Sequence, residues 1–472
     1  MSGQGARFAL QIVSTMVLAR VLTPADFGLV AMVTAITGFL ALFKDLGLST
    51  ATVQSAEIGG GEVSALFWVN VLVSALLAVL VAGLAPLLAW LYHEPALTGI
   101  TVATASGFVF SGLGVQHQAL LQRQMRFGLL AAVDIGSLTA GIAAGLLLAL
   151  NGAGYWALVA MPIVTSLTAS VGYWVACSWR PGRPVWGSSV KRMLSFGGFL
   201  TGFNSVNYFA RNADNVLIGW RWGPASLGLY AKAYQLLLLP LQQLNAPTTS
   251  VAIPALSRLQ DDPVRYRRAY MQVVEKLTLL TIPLVAFLIA TSSWVVVVVL
   301  GPQWAGANHI FMWLGVSALV QPVTNTTGWL FITQHRTNDM FRWGLIGSAL
   351  SIASFVVGLP YGAVGVAGAY AISGLVIRTP LLLWFVGRSG PVSARDICRA
   401  SLRPVLVGGA LLAALLVFRW VAPDGWSSWE SLLAAAVISV LVMGLFFVFS
   451  RLGREALSDL RYLFKRGDDV SR

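Results

Sequence analysis

The chain has 472 residues, of which 57% are hydrophobic and only 10% charged, with a formal net charge of +13. A soluble domain carries about 25% charged residues, so this composition cannot cover a globular surface with polar side chains. The basic residues are scattered among short loops, which excludes a nucleic-acid-binding surface and leaves membrane topology and attraction to anionic lipid as the meaning of the charge.

In chain order, apolar segments fall at 5–22, 27–48, 63–92, 97–117, 129–150, 155–177, 194–220, 227–250, 277–300, 308–333, 345–359, 364–386, 405–420 and 430–450. Runs of about 18 or more such residues read as membrane-spanning helices, and strand-sized alternation is absent. The expected fold is an all-α polytopic membrane protein with about 14 transmembrane helices. No cleavable leader is expected at residues 1–22, because polar residues interrupt the apolar stretch and no A-x-A site follows.

The connections alternate in character. One set is short and nearly free of base, for example "TPAD" at 23–26 and "NGAG" at 151–154. The other is longer and basic, with 22 lysines and arginines against three (Arg20, Arg221, Arg419) on the opposite side. The positive-inside rule then places both termini in the cytoplasm. The inner loop 49–62, with Glu57, Glu62 and no base, is the one exception. Cys177 and Cys398 stand far apart and suggest neither a disulfide nor a metal site.

Two short stretches repeat. "PADFGLVA" at 24–31 and "PASLGLYA" at 224–231 share one pattern, and six spans separate them, so both corners lie on the same face. Proline suits the first turn of a helix, and Gly28 and Gly228 one turn later permit close packing. Pro24, Gly28, Pro224 and Gly228 are therefore a repeated structural motif. A second echo joins "NGAGYWAL" at 151–158 to "YGAVGVAGA" at 361–369. The expected organisation is two parallel six-helix bundles, 1–193 and 194–404, followed by two extra helices and a basic cytoplasmic tail at 405–472. Halves with an even number of spans share one orientation, an arrangement known in transporters.

Polar residues inside the spans show helical phase. Span 1 carries Gln4, Arg7, Gln11, Ser14 and Thr15 on one face; span 7 carries Asn204, Asn207, Tyr208, Arg211, Asp214 and Asn215. A polar stripe on the first helix of each repeat points to a shared, water-accessible cleft. Arg7, Gln11, Asn204, Asn207, Arg211 and Arg378 are candidate substrate-binding residues of that cavity. The charges at depth are Asp134, Arg211, Asp214, Lys232 and Arg378, each costing about 2.5–3.5 kcal/mol at mid-membrane on the insertion scale. Arg211 and Asp214, three apart, either neutralise each other or serve a ligand. Arg378 has no acid in its own span and calls for Asp134 or an anionic ligand. Gln116, His117 and Gln118 read as a polar helix end.

No G-x-x-x-x-G-K-[ST] loop, H-E-x-x-H or paired Cys-x-x-Cys occurs, so no ATP site of that kind, cofactor or metal is expected. No outer loop is long enough for a catalytic domain. The expectation is a secondary transporter, not an enzyme.

"LARVLTPADFGLVAM", "FKDLGLSTATVQ" at 43–54 and "ARNADNVLIGWRWGPASLGLYAKAYQLLLLP" at 210–240 resemble the Wzx-type polysaccharide flippases, in the colanic-acid-exporter branch of the multidrug/oligosaccharidyl-lipid/polysaccharide exporter superfamily. The resemblance covers nearly the whole chain. It implies two six-helix bundles, alternating access, and undecaprenyl-diphosphate-linked oligosaccharide as cargo, moved from the inner to the outer leaflet of the bacterial inner membrane. It also implies a place in O-antigen, capsule or exopolysaccharide synthesis, beside a glycan polymerase and other assembly proteins. By that match Asp214 occupies the family's acidic position in span 7, and Gly228, Leu229 and Tyr230 its span-8 motif. Asp134 and Asp214 are the candidates for coupling to H+ or Na+. The N-terminus departs from the pattern by starting several residues late. A cation-coupled drug exporter of the same superfamily and a membrane glycan polymerase or ligase are the alternative readings.

Overall fold

Backbone groups inside a bilayer must find their hydrogen bonds within the segment or its closed sheet, and this chain does so with helices. The computed structural model describes all residues except 1, 45–47, 56–57, 186–187, 424 and 450–472; at 2–4, 6, 51, 188–207 and 209–211 it describes the backbone alone. The side chains of the candidate residues Asn204, Asn207 and Arg211 therefore lie outside what is described, as does the basic tail.

The helices are α1 (Ser2–Val21), α2 (Pro24–Ala41), the short α3 (Leu48–Gln54), α4 (Gly60–Tyr92), α5 (Ala96–Arg123), α6 (Phe127–Leu150), α7 (Trp156–Ala176) and the long α8 (Ser188–Ser257). They continue with α9 (Pro263–Ala290), α10 (Ser292–Leu300), α11 (Asn308–Ala318), α12 (Gln321–Thr333), α13 (Thr337–Gly358), α14 (Gly362–Ser373), α15 (Thr379–Gly387), α16 (Ala394–Val421) and α17 (Ser428–Phe449). No strand occurs among the described residues. Nine helices among them are long and apolar enough to cross a membrane, one being the 51-residue run Thr337–Gly387. The chain is an all-helical, multi-pass membrane protein.

Local chemistry sets the helix ends. Thr23 caps α2 with Pro24 in its first turn: Asp26 N–H donates to Thr23 Oγ1 (3.3 Å) and Thr23 N–H to Asp26 Oδ2 (2.9 Å). Glu62, one of the acids of the base-free loop 49–62, accepts the Gly59 N–H (3.1 Å) and closes the first turn of α4. Its charge thus complements a helix N-terminus. In α8 the helical dihedrals fail at Gly223, with φ 76° and ψ −177°, a conformation that favours glycine. Spans 7 and 8 of the sequence reading are the two arms on either side of this break.

Residues Met1–Ala231 and Lys232–Arg472 form two compact units. In the first, α4 packs on α5, α6 on α7, α5 on α7, and α1 on α6. In the second, α9 runs along α16, and α14 packs on α11 and α13; its core holds Tyr266, Tyr270, Trp329 and Phe331. Each unit also contains the same corner. After α5, Met125 adopts φ 57° and Arg126 reaches the Ala176 carbonyl (3.4 Å); after α12, His335 adopts φ 56° and Arg336 reaches the Val386 carbonyl (3.2 Å). Donor and acceptor are each displaced by 210 positions between the two.

One expectation is corrected. Gln116 and His117 do not end a helix in water, since α5 runs on to Arg123 and both are fully buried. His117 stacks on Trp174 at 4.4 Å, with Phe67 and Trp179 edge-on. Aromatic faces cover the imidazole within the helix rather than at its end.

Candidate functional site

Helix α2 and the arm of α8 beyond Gly223 both begin at a proline of the repeated motif. In the first unit these two copies meet each other. A Cβ placed on Gly28 would overlap the Pro224 carbonyl, and one placed on Gly228 would overlap the Pro24 carbonyl. The two backbones are in direct contact, reciprocally, as two equivalent elements would be across a local two-fold. Small residues are what permit such an approach between membrane helices. Farther along α2, the Tyr208 hydroxyl lies 3.1 Å from the carbonyls of Thr34 and Ala35, as a donor to them.

Asp214 sits next to this crossing, only 4% exposed. Its carboxylate accepts the Tyr230 hydroxyl (2.8 Å) and the Asn215 N–H (2.8 Å). Tyr230 is the third residue of the Gly228-Leu229-Tyr230 stretch, so the acidic position and the repeated corner are tied directly, across the Gly223 break. A buried carboxylate held by two donors is satisfied without a cation in contact.

The polar face of α1 leads to a different place. Arg7 lines a cavity of about 390 Å³ together with Lys44, Ser111, Asp134 and Tyr173. Asp134 Oδ1 accepts the Tyr173 hydroxyl (2.5 Å), and Arg7 reaches Oδ2 at 3.4 Å. Lys44 donates to Ser111 Oγ (3.0 Å). Among the described lining residues two cations stand with one carboxylate, a balance suited to an anionic group. Gln11 is exposed on α1, and Ser14 of the same stripe is buried against the sulfur of Met161.

Arg378 is not matched by an acid among the described residues. It closes a π-helical turn, Gly374–Arg378, between α14 and α15. Its guanidinium donates to Ser351 Oγ and the Tyr370 carbonyl, both at 2.8 Å, and stands 3.9 Å from the centre of the Tyr370 ring. Of the two partners expected for Arg378, an acid or an anionic ligand, Asp134 is not the one, since it finds its own partners on α1 and α7; a ring face and two oxygens meet the guanidinium instead. The Arg378 Nε is buried with no hydrogen-bond partner. Lys44, Tyr173 and Tyr230 were missed in the sequence. Only the "FKDLGLSTATVQ" and "GLY" stretches, quoted as motifs, pointed near them.

The fold is one that a solved lipid flippase also has. The arrangement matches the inward closed structure of the lipid II flippase MurJ with a TM-score of 0.73 at 16% identity, over 94% of this chain and 96% of that one. The chain belongs to the polysaccharide biosynthesis protein family, whose model matches residues 17–309, and with it to the membrane transport proteins of polysaccharide biosynthesis. It is 27% identical to the lipopolysaccharide biosynthesis protein WzxC of Escherichia coli (strain K12) over 80% of this chain and 77% of that protein. It is likewise 27% identical to the succinoglycan biosynthesis transport protein ExoT of Rhizobium meliloti (strain 1021), over 87% and 83%.

Proposed function

We propose that the chain flips undecaprenyl-diphosphate-linked oligosaccharide from the inner to the outer leaflet of the bacterial inner membrane, for assembly of a surface polysaccharide. It works by alternating access, with both termini cytoplasmic and about 14 spans arranged as bundles 1–193 and 194–404 plus the pair in 405–472. The observation that carries this reading is the pairing, within one unit, of a reciprocal backbone closure at Pro24, Gly28, Pro224 and Gly228 with a cationic cavity at Arg7 and Lys44. The corners belong to base-poor connections and "FKDLGLSTATVQ" to the base-rich side, so closure is outward and the cavity inward.

A diphosphate carries about two negative charges, and guanidinium groups replace the hydration it loses on entry. The inside-negative potential favours its outward movement by about 2.3 kcal/mol per charge per 100 mV. Arg7, Gln11, Asn204, Asn207, Arg211 and Arg378 are the substrate-binding residues of this reading, and Asp134 and Asp214 couple the cycle to H+ or Na+. A glycan polymerase would take the delivered oligosaccharide.

The test is deletion of the gene in its host. The lipid-linked oligosaccharide should accumulate, inaccessible to a lectin or hydrolase added from outside, and a plasmid copy should restore its exposure. Unchanged exposure of the lipid-linked intermediate in the deletion strain would refute the assignment.

A further inference from the structure

In the second unit, the N-terminal turns of α9 and α16 pack side by side and leave an open cleft of about 530 Å³. Arg267 and Arg268 enter it from α9, and Arg399 and Arg403 from α16. Glu275 is the single carboxylate in the lining.

Two of the four cations have an acidic neighbour. Arg267 is paired with the buried Asp396, whose other oxygen accepts the Ser393 N–H (3.0 Å) and caps α16. Arg403 approaches Glu275 at 4.0 Å, the outer limit of an ion pair. Arg268 and Arg399 have no ion-pair partner among the described residues, and both are exposed. Arg399 and Arg403 are four apart on one helix face, a like-charge spacing that is mildly destabilising. Arg268 and Arg399 therefore leave the cleft with positive charge that no described acid pairs.

The surroundings say what kind of anion belongs there. Between and immediately beyond the arginines on α16, Leu402, Val405 and Leu406 are 56%, 50% and 64% exposed, and α16 continues as an apolar helix able to span a membrane. A forked cation above an exposed aliphatic stripe, at the end of a spanning helix, presents both halves of a lipid: charge for the head and hydrocarbon for the chains. A soluble phosphate has no use for the second half.

We propose that the α9–α16 cleft is a binding site for an anionic phospholipid, with the headgroup phosphate on Arg268 and Arg399 and the acyl chains along Leu402, Val405 and Leu406. The inference stands whichever lipid the protein carries across the membrane, because it concerns a resident lipid at the unit's edge.

The full chain, purified in detergent, is offered dioleoyl phosphatidylglycerol and dioleoyl phosphatidylcholine at equal concentration, and retained lipid is counted by native mass spectrometry. Phosphatidylglycerol should be preferred. The double variant Arg268→Gln with Arg399→Gln should weaken that preference roughly 25-fold, and Arg268→Lys with Arg399→Lys should keep most of it. A wild-type protein that shows no preference, or a Gln variant that keeps it, overturns the proposal. Displacement of the phospholipid by millimolar inorganic phosphate would reassign the cleft to a soluble anion. Displacement by an equimolar polyprenyl diphosphate would reassign it to the carried lipid, and either result also overturns the proposal.

Discussion

The reciprocal corner is open to a one-atom perturbation. Gly28→Ala places a methyl group on the Pro224 carbonyl, and Gly228→Ala places one on the Pro24 carbonyl. In both cases the obstacle is backbone, which cannot swing aside as a side chain would, so the helices must separate. Overpacking of this kind costs about 1–3 kcal/mol. That cost falls only on the conformation in which the corners touch, which shifts its population by roughly 5- to 150-fold against the open one. Gly83→Ala on α4 is the control, because nothing lies within 4 Å of a Cβ there. The reporter is Leu227→Cys, a fully buried position beside the corner, in a background with Cys177 and Cys398 replaced by serine. Its labelling by a membrane-impermeant thiol reagent should rise with either glycine substitution and stay unchanged with Gly83→Ala. The double substitution should fall short of additivity, since helices already parted for one methyl accommodate the second. If both single variants left the labelling rate within about twofold of the parent, a range smaller than the lowest expected shift, the closure argument would fail.

Tyr230→Phe leaves the buried Asp214 carboxylate with one donor fewer, at a cost of about 1–3 kcal/mol. The thermal midpoint in detergent should drop, and much less so in an Asp214→Asn background. The Arg7–Asp134 contact is half-exposed and worth about 0–1 kcal/mol, so Arg7→Ala should leave membrane abundance intact while reducing oligosaccharide export at least severalfold; recovery of export on adding Asp134→Ala would show that Arg7 only balances the acid. Reporter fusions after Asp262 should show cytoplasmic activity and fusions after Gly152 and Gly306 should not, and the reverse pattern would invert the proposed direction of transport.

What the sequence disclosed and what it hid divide along a physical line. Pro24 and Pro224 announce helix starts because proline's missing N–H costs nothing in a first turn, so the corner was legible as a motif. Its partner was not, since Gly28 meets a segment 200 positions away and no local periodicity carries that information. Helical phase placed Arg7 and Asp214 on polar faces. It could not pair Asp214 with Tyr230, because the Gly223 break resets the phase between them. Charge counting asked for an acid or an anionic ligand beside Arg378 and could not foresee that Tyr370 offers its ring and carbonyl together at a π-helical turn. The cleft at Arg268 and Arg399 was legible in the sequence only as scattered positive charge, because two helices, with these residues more than a hundred positions apart, compose it.

The proline corners are 200 positions apart, whereas the arginine corners and the 151/361 echo are 210 apart. The second copy is therefore longer between these points, and the first half differs there in architecture. After Pro24 the helix stops at Ala41 and resumes as the short α3, whereas after Pro224 the α8 arm runs unbroken to Ser257. The break in the first half is where Lys44 leaves the helix axis and reaches Ser111 in the cavity. A continuous helix offers no such departure. Closure is thus built from two interchangeable copies, while the cationic pocket at Lys44 and Arg7 is built from one. Substitutions at Gly28 and Gly228 should then mimic each other, and Lys44→Gln should have no counterpart in the second copy that reproduces its loss of export.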